Sequence, residues 1–278
     1  MRGLTLIASY PKSGNTWLRA FLASHLRGGK PIDLNSDLST IRNLTSRRLQ
    51  DTHAGLEHAD LTPPEVALLR PATSRAIARA RPGFYKTHDS HLVPPGAGEP
   101  AIPAETIDRV VYIARDPRDV AVSLAHHFGD TLRDGVARMA DPAFVLGRSG
   151  AGPNANVEQW VSSWGAHVES WLDAPGLQLL PLRYEDLLAA PPEAFGRICR
   201  FLDLDDSAPA VARSLDASRF RTLAAQEARA GFRERLPAAT APFFRTGGAG
   251  GWRTALPAAL ADQLVADHGR VMARLAYA

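Results

Sequence analysis

Cysteine is nearly missing from this chain. Cys199 is the only one in 278 residues, so no internal disulfide can form and no cysteine-rich metal cluster can assemble. Lysine is almost as scarce. Of 32 basic residues only Lys12, Lys30 and Lys86 are lysine, and the rest are arginine. Long apolar runs are missing too, and none approaches the ~18 residues of a membrane span. The first apolar run, Leu4 to Ala8, is too short for the core of a signal peptide, and a turn follows it at once. No dense run of basic residues occurs, and a formal net charge of +3 is too mild for a nucleic-acid-binding surface. These gaps leave a soluble, cytoplasmic protein as the expectation, with no nucleic-acid partner and no membrane span. A local anion site stays open.

What is present points to a large core. Hydrophobic residues make up 45% of the chain, enough for one domain over residues 1–278. Strand-like runs fall at 4–9, 83–87, 109–114 and 177–183. Helical spacing falls at 16–27, 117–128, 192–202 and 257–275. It also falls at 157–172, where Val157, Trp160, Val161, Trp164, Val168, Trp171 and Leu172 share one face. Apolar strands alternating with helices predict an α/β fold, a single domain whose central parallel sheet is flanked by helices. Residues 28–82, 129–156 and 231–251 read as irregular loops that could form an acceptor pocket or lid. Ligands of such sheets bind beyond the C-terminal strand ends, and Lys12, Lys86 and Arg115 all fall there.

The stretch "LIASYPKSGNTWLRAFL" reads as strand, tight loop, helix. Such a loop offers free backbone N–H groups and the positive end of a helix dipole. Gly14 allows close approach of an anion, Ser13, Asn15 and Thr16 add donors, and Lys12 adds a full charge. In composition this is a P-loop-like phosphate cradle after the first strand, although an ordinary strand-to-helix turn has the same ingredients. It is not the nucleoside-triphosphatase loop, because the lysine precedes the glycine and no Gly-Lys-Ser/Thr occurs anywhere. That absence argues against a nucleotide kinase, the weaker enzymatic alternative.

"YPKSGNTW", residues 10–17, resembles the 5′-phosphosulfate loop of the PAPS-dependent sulfotransferases, usually Tyr-Pro-Lys-Ser-Gly-Thr-Thr-Trp. "VVYIARDPRDVAVSLAHHF", residues 110–128, is similar to their 3′-phosphate segment. "FFRTGGAGGWRTAL", residues 243–256, resembles their C-terminal Arg-Lys-Gly-x-x-Gly-x-Trp motif, with Thr246 where lysine is usual and Gly251 where aspartate is common. "KTHDSH", "LRYEDL" and "SLDASRFRTL" fit the segments carrying the family's base and its adenine contacts. The opening motif is most similar to that of bacterial members.

The resemblance implies the following roles. Lys12, Ser13, Gly14, Asn15, Thr16 and Trp17 would hold the 5′-phosphosulfate of PAPS. Arg115 and Ser123 would contact the 3′-phosphate, with Arg245, Thr246 and Gly247 closing over it. Tyr184, Ser218 and Phe220 fit nucleoside contacts, though core packing or a surface hydroxyl would place the same residue types there. His88, two residues after Lys86, would be the general base, since an imidazole titrates near neutrality; His91 is a weaker competitor. Lys12 would stabilise the leaving phosphate and Lys86 the sulfuryl oxygens, with no metal. Arg118 and Asp119 read as a solvated charge cluster. The implied activity is sulfuryl transfer from PAPS, leaving PAP, to a hydroxyl or amine of a small-molecule or glycan acceptor. A non-catalytic PAPS- or PAP-binding protein is the alternative.

Overall fold

The structure is a computed structural model that describes residues 3–147 and 155–277. Residues 148–154, part of the irregular segment expected at 129–156, lie outside the described residues. The chain divides into two compact units. The first takes in Met1–Tyr10, Arg42–Tyr112 and Asp141–Pro181, the second Pro11–Ile41, Ile113–Ala140 and Leu182–Ala278.

The first unit holds most of the strand residues, β4 and β7 ending in the second. In chain order the strands are β1 (Leu4–Ser9), β2 (Arg42–Asn43), β3 (Gly83–Thr87), β4 (Ile107–Ala114), β5 (Val145–Leu146), β6 (Gln159–Trp160) and β7 (Leu179–Arg183). The main sheet runs β2-β3-β1-β4-β7. β1 lies parallel to β3, with Leu4 opposite Gly83 and Ala8 opposite Thr87. Every residue of β1 is buried, as an interior parallel strand covered on both faces requires. The four long strands fall where the sequence placed them; β2, two residues at the sheet edge, is too short to carry a pattern.

The helices are α1 (Asn15–His25), α2 (Arg47–Ala54), α3 (Pro63–Ala80), α4 (Pro117–Phe128), α5 (Leu132–Ala140), α6 (Trp164–Leu172), α7 (Tyr184–Ala189), α8 (Pro191–Phe201), α9 (Ala208–Ala217), α10 (Phe220–Ala230), α11 (Trp252–Ala255) and α12 (Ala258–Arg274). Of these, α2, α3 and α6 lie in the first unit. The 18-residue α3 occupies a stretch that reads as irregular. Its prolines are the reason. Pro63 and Pro64 sit in the first turn, where no N–H is required. The Glu65 carboxylate accepts the Thr62 N–H at 2.7 Å, a capping box at the start of the helix.

The helix expected over 157–172 begins only at Trp164. Gln159 and Trp160 instead pair antiparallel with Leu146 and Val145, and Ser162 has a positive φ of 66°, which no helix tolerates. The Ser163 hydroxyl then accepts the Ala166 N–H at 3.4 Å and starts α6. Val157 and Val161 are buried on extended chain, and that burial imitates a helical face.

The second unit is mostly helical. Ala20 and Ala23 of α1 pack with Ile32, Leu34, Leu38, Leu223 and Phe232, and Phe243 and Phe244 lie against that cluster. The Asp116 carboxylate accepts the Arg118 N–H at 2.9 Å and caps α4. Gly129, in the left-handed conformation with φ 75°, ends it. No helix of the described residues is long and apolar enough to cross a membrane.

Candidate active site

The loop between β1 and α1 is shaped by two left-handed residues. Gly14 has φ 103° and Lys12 has φ 67°, the latter uncommon for a residue with a side chain. A Cβ on Gly14 would stand 2.6 Å from the Tyr184 ring, so only glycine fits. α1 starts without a side-chain cap and without an acidic residue in its first turn, which leaves its dipole facing the loop. Ser13 is fully buried, and its hydroxyl has no partner among the described residues. A buried, unsatisfied donor is costly unless something polar binds it.

Arg115, just past β4, ties this loop to the C-terminal motif. Its guanidinium donates to the Lys12 carbonyl at 3.1 Å and to the Gly248 carbonyl at 2.9 Å, and it lies 4.5 Å above the Tyr184 ring. The Tyr184 hydroxyl donates to the Gly247 carbonyl at 3.1 Å, and Trp17 packs edge-on to the same ring, 6.1 Å away. Gly247 has φ 62°, and a Cβ there would meet the Phe220 ring at 2.2 Å. The sequence elements proposed for one nucleotide site, 12–17, 115, 184, 220 and 245–247, thus come together within the second unit.

The cations in this unit crowd one another. Burial first, and then Arg115, bring the Lys12 ammonium down to a pKa of about 7, against the opposing pull of Glu234 and Glu227. Burial and Arg115 also lower Arg245. The Lys12 ammonium lies 3.6 Å above the Phe243 ring. A cleft of about 260 Å³, its open mouth included, is lined by Lys12, Ser123, His126, Arg235, Phe243 and Arg245 among others. A buried lysine and an arginine gathered at one cleft suit an anion. Ser218 is placed differently. It is fully buried, and its hydroxyl donates to the Ser214 carbonyl at 2.8 Å at the end of α9.

Asp119 was misread from sequence. It is buried, and its carboxylate accepts the Gly250 N–H at 2.6 Å and the Trp252 N–H at 2.9 Å, fixing the C-terminal glycine-rich segment. Arg118 is not solvated either. It pairs with Asp116 at 2.8 Å and stacks 4.0 Å over Trp252. The Glu227 carboxylate, also missed, accepts the N–H groups of Phe243 and Phe244 at 2.7 and 2.9 Å.

In the first unit, Lys86 is the last residue but one of β3, opposite Ile7, and His88 lies just past the strand end. The His88 Nδ1 lies 2.8 Å from the Ser9 carbonyl and 3.4 Å from the Ser9 hydroxyl. Its backbone N–H donates to Gln159 Oε1 at 3.1 Å, and its carbonyl accepts from His167 Nε2 at 3.2 Å. Asp89, next in sequence, forms a buried two-pronged ion pair with Arg70, at 2.5 and 2.8 Å. His91 stacks on Trp171, centroids 4.9 Å apart, and burial lowers its pKa. Among the described residues no group of three or more His, Cys, Asp or Glu side chains is placed to hold a metal ion.

The sulfotransferase domain family model matches this chain over residues 3–276. Sulfotransferase 1C2 of Rattus norvegicus is 24% identical over 268 residues, which cover 93% of this chain and 79% of the relative. Sulfotransferase 1C2 of Oryctolagus cuniculus is 27% identical over 202 residues, 71% of this chain and 57% of the relative. Cytosolic sulfotransferase 12 of Arabidopsis thaliana is 26% identical over 272 residues, 93% of this chain and 74% of the relative. Among solved structures, retinol dehydratase in a complex with retinol and PAP superposes with a TM-score of 0.61 at 22% identity, over 98% of this chain and 82% of that one. A mouse sulfotransferase complexed with PAP gives 0.60 at 18% identity, over 100% and 89%. At these identities the structures share the fold.

Proposed function

The chain belongs to the sulfotransferase family, and from that premise we propose how its own residues divide the work. It is a PAPS-dependent sulfotransferase acting as one domain over residues 1–278. PAPS supplies a sulfuryl group already activated by its bond to phosphate. The residues fit this donor. The buried, unpartnered Ser13 hydroxyl and the glycine-shaped loop suit the 5′-phosphosulfate, held by Lys12 to Trp17. Arg115, Ser123, Arg245, Thr246 and Gly247 would hold the 3′-phosphate. Arginine suits that role because its fork donates in pairs to phosphate oxygens. Tyr184 and Phe220 flank the nucleoside, with Ser218 behind them.

Lys12 and the backbone amides of the loop stabilise negative charge where the phosphate oxygen departs. Lys86 neutralises the sulfuryl oxygens. His88 accepts the acceptor's proton. Catalysis is then mostly positioning and electrostatics, with the 3′-phosphate contacts orienting the reacting end from a distance. The acceptor is a small molecule or glycan carrying a hydroxyl or amine. The rat and thale-cress relatives are named as sulfotransferases, and two neighbours were solved with retinol or androsterone beside PAP, which supports a small-molecule acceptor. A cytoplasmic location belongs to the same proposal, supported by the cytosolic name of the plant relative.

One observation carries the reading. Arg115 joins the Lys12 carbonyl to the Gly248 carbonyl, so the two motifs that resemble PAPS-binding segments meet at one guanidinium. The test is transfer of labelled sulfate from PAPS to a pooled acceptor library, read by mass spectrometry. PAP should also raise the melting temperature in metal-free buffer. Stabilisation by ATP with Mg²⁺ and not by PAP would contradict the donor, and PAP binding without turnover on any acceptor would make the chain a binder.

A further inference from the structure

The groups around His88 determine which of its ring nitrogens carries the proton. The Ser9 carbonyl can only accept a hydrogen bond, so the His88 Nδ1, 2.8 Å from it, carries hydrogen. The lone pair is then on Nε2. The same logic runs one residue further out. The His88 carbonyl accepts from His167 Nε2 at 3.2 Å, so that nitrogen is the protonated one. His167 is completely buried, and burial brings it down to a pKa of about 4, so the ring is neutral and its Nδ1 is an acceptor. The Tyr112 hydroxyl, 2.9 Å away and itself buried, donates to it. On the other side the buried Gln159 accepts the His88 N–H at 3.1 Å through Oε1.

Both backbone groups of His88 are therefore held by buried side chains, not by strand pairing, because β3 stops at Thr87. Asp89, the next residue, is pinned by Arg70, by the Thr87 hydroxyl at 2.8 Å and through its carbonyl by the Trp171 indole at 3.0 Å. A residue just past a strand end ordinarily has soft dihedrals. Here the peptide groups on both sides of the ring are fixed. We infer that Gln159 and His167 are positioning residues for His88: they lock its peptide so that Nδ1–H stays on the Ser9 carbonyl and Nε2 is the nitrogen presented for proton transfer. The inference rests on His88 as the base.

The direct test is the tautomer, read from imidazole nitrogen shifts in a ¹⁵N-histidine-labelled protein at pH 8, with the His88 signals assigned by their loss in His88→Ala. The wild type should show an Nδ1–H tautomer. Gln159→Leu and His167→Phe should move the His88 nitrogens towards an average of the two tautomers, while Gln159→Glu, which keeps an acceptor oxygen there, should restore the wild-type pattern. In turnover, both variants should lose roughly ten- to hundredfold in kcat with phenol and much less with 4-nitrophenol, with PAP affinity unchanged; a small misplacement of a reacting group costs about that much. PAP affinity also checks the fold, and Gln159→Asn replaces any variant that does not bind PAP. An Nε2–H tautomer in the wild type, or an unchanged tautomer in both variants, overturns the inference. Full activity of His88→Ala would instead remove the base while leaving the tautomer result to stand by itself.

Discussion

Around Lys12 the second unit gathers the cations Arg115 and Arg245, and burial first, then these neighbours, lower the lysine's pKa. Around His88 the first unit gathers neutral donors and acceptors, Ser9, Gln159 and His167. The charge of Asp89, next in sequence, is cancelled by Arg70 in a buried pair, and Lys86 lies two residues before the ring. The first arrangement is suited to holding an anion and gains little by precise angles. The second has little charge to attract a nucleotide but fixes the orientation of one ring. Nucleotide affinity should therefore respond chiefly to residues of the second unit, and proton transfer to residues of the first.

The largest expected effect is on rate. His88→Ala should lower transfer by about 10²–10⁴, the usual contribution of a positioned base, and leave PAP affinity alone. A nitrophenol acceptor, already acidic, should be partly rescued. Near-normal turnover with an aliphatic alcohol would end the role of His88 and make His91 the residue to examine. The next effect is on affinity. Arg115→Ala should weaken PAP by about ten- to hundredfold, the value of a charge-assisted hydrogen bond at roughly 1.5–3 kcal/mol. Adenosine 5′-phosphosulfate, which has no 3′-phosphate, should be little affected. Equal losses for both ligands would mean that Arg115 matters only through its bonds to Lys12 and Gly248.

Asp119→Asn sharpens the same contrast at a distance from the ligand. The amide keeps one acceptor oxygen where the carboxylate now serves both Gly250 and Trp252, so one of these N–H groups loses its partner. PAP affinity should fall by less than tenfold and the acceptor KM should not change, as titration calorimetry and steady-state kinetics would show. An unaltered affinity would separate the glycine-rich segment from the anion site.

The smallest effect is a fraction of a proton. Lys12 has a folded pKa of about 7, well below its ordinary 10.5, chiefly through burial. At pH 8 it is mostly neutral, and a bound phosphosulfate or phosphate would raise its pKa. PAP binding at pH 8 should therefore take up protons, up to about one. Calorimetry in buffers of different ionisation enthalpy measures this. The same depressed pKa makes the unfolded chain the stronger proton binder between about pH 7 and pH 10.5, so the cost this group imposes on folding is relieved as pH rises through that window. Proton release on binding would place the anion away from Lys12.

Much of this was legible in the sequence because the informative residues are neighbours. The run from β1 through Lys12 and Gly14 into α1 places an apolar strand, a turn cluster and a helical face side by side, and β4 leading to Arg115 and α4 does the same. The parallel sheet follows from strands that are apolar throughout. What stayed hidden depends on contacts between distant residues or on ambiguous local signals. α3 was obscured by its prolines, of which Pro63 and Pro64 are harmless in a first turn and Pro71 lies inside the helix. The false helix before Trp164 arose because buried valines on extended chain repeated at helical spacing. Asp119 looked solvated because its N–H partners lie 131 and 133 residues further along the chain. Gln159 and His167 carry no motif, since what they hold is the backbone of His88, 71 and 79 residues away.

The most direct test sets His88→Ala and Arg115→Ala side by side, with PAP affinity by calorimetry in metal-free buffer and single-turnover sulfate transfer from saturating PAPS measured on both. The account predicts opposite losses. His88→Ala should bind PAP as the wild type does and transfer at least about a hundredfold more slowly. Arg115→Ala should bind at least about tenfold more weakly and, once saturated, transfer far faster than His88→Ala. If both variants lose affinity and rate in the same proportion, holding the nucleotide and moving the proton are not separate tasks of separate residues, and the division of labour described for the two units is wrong.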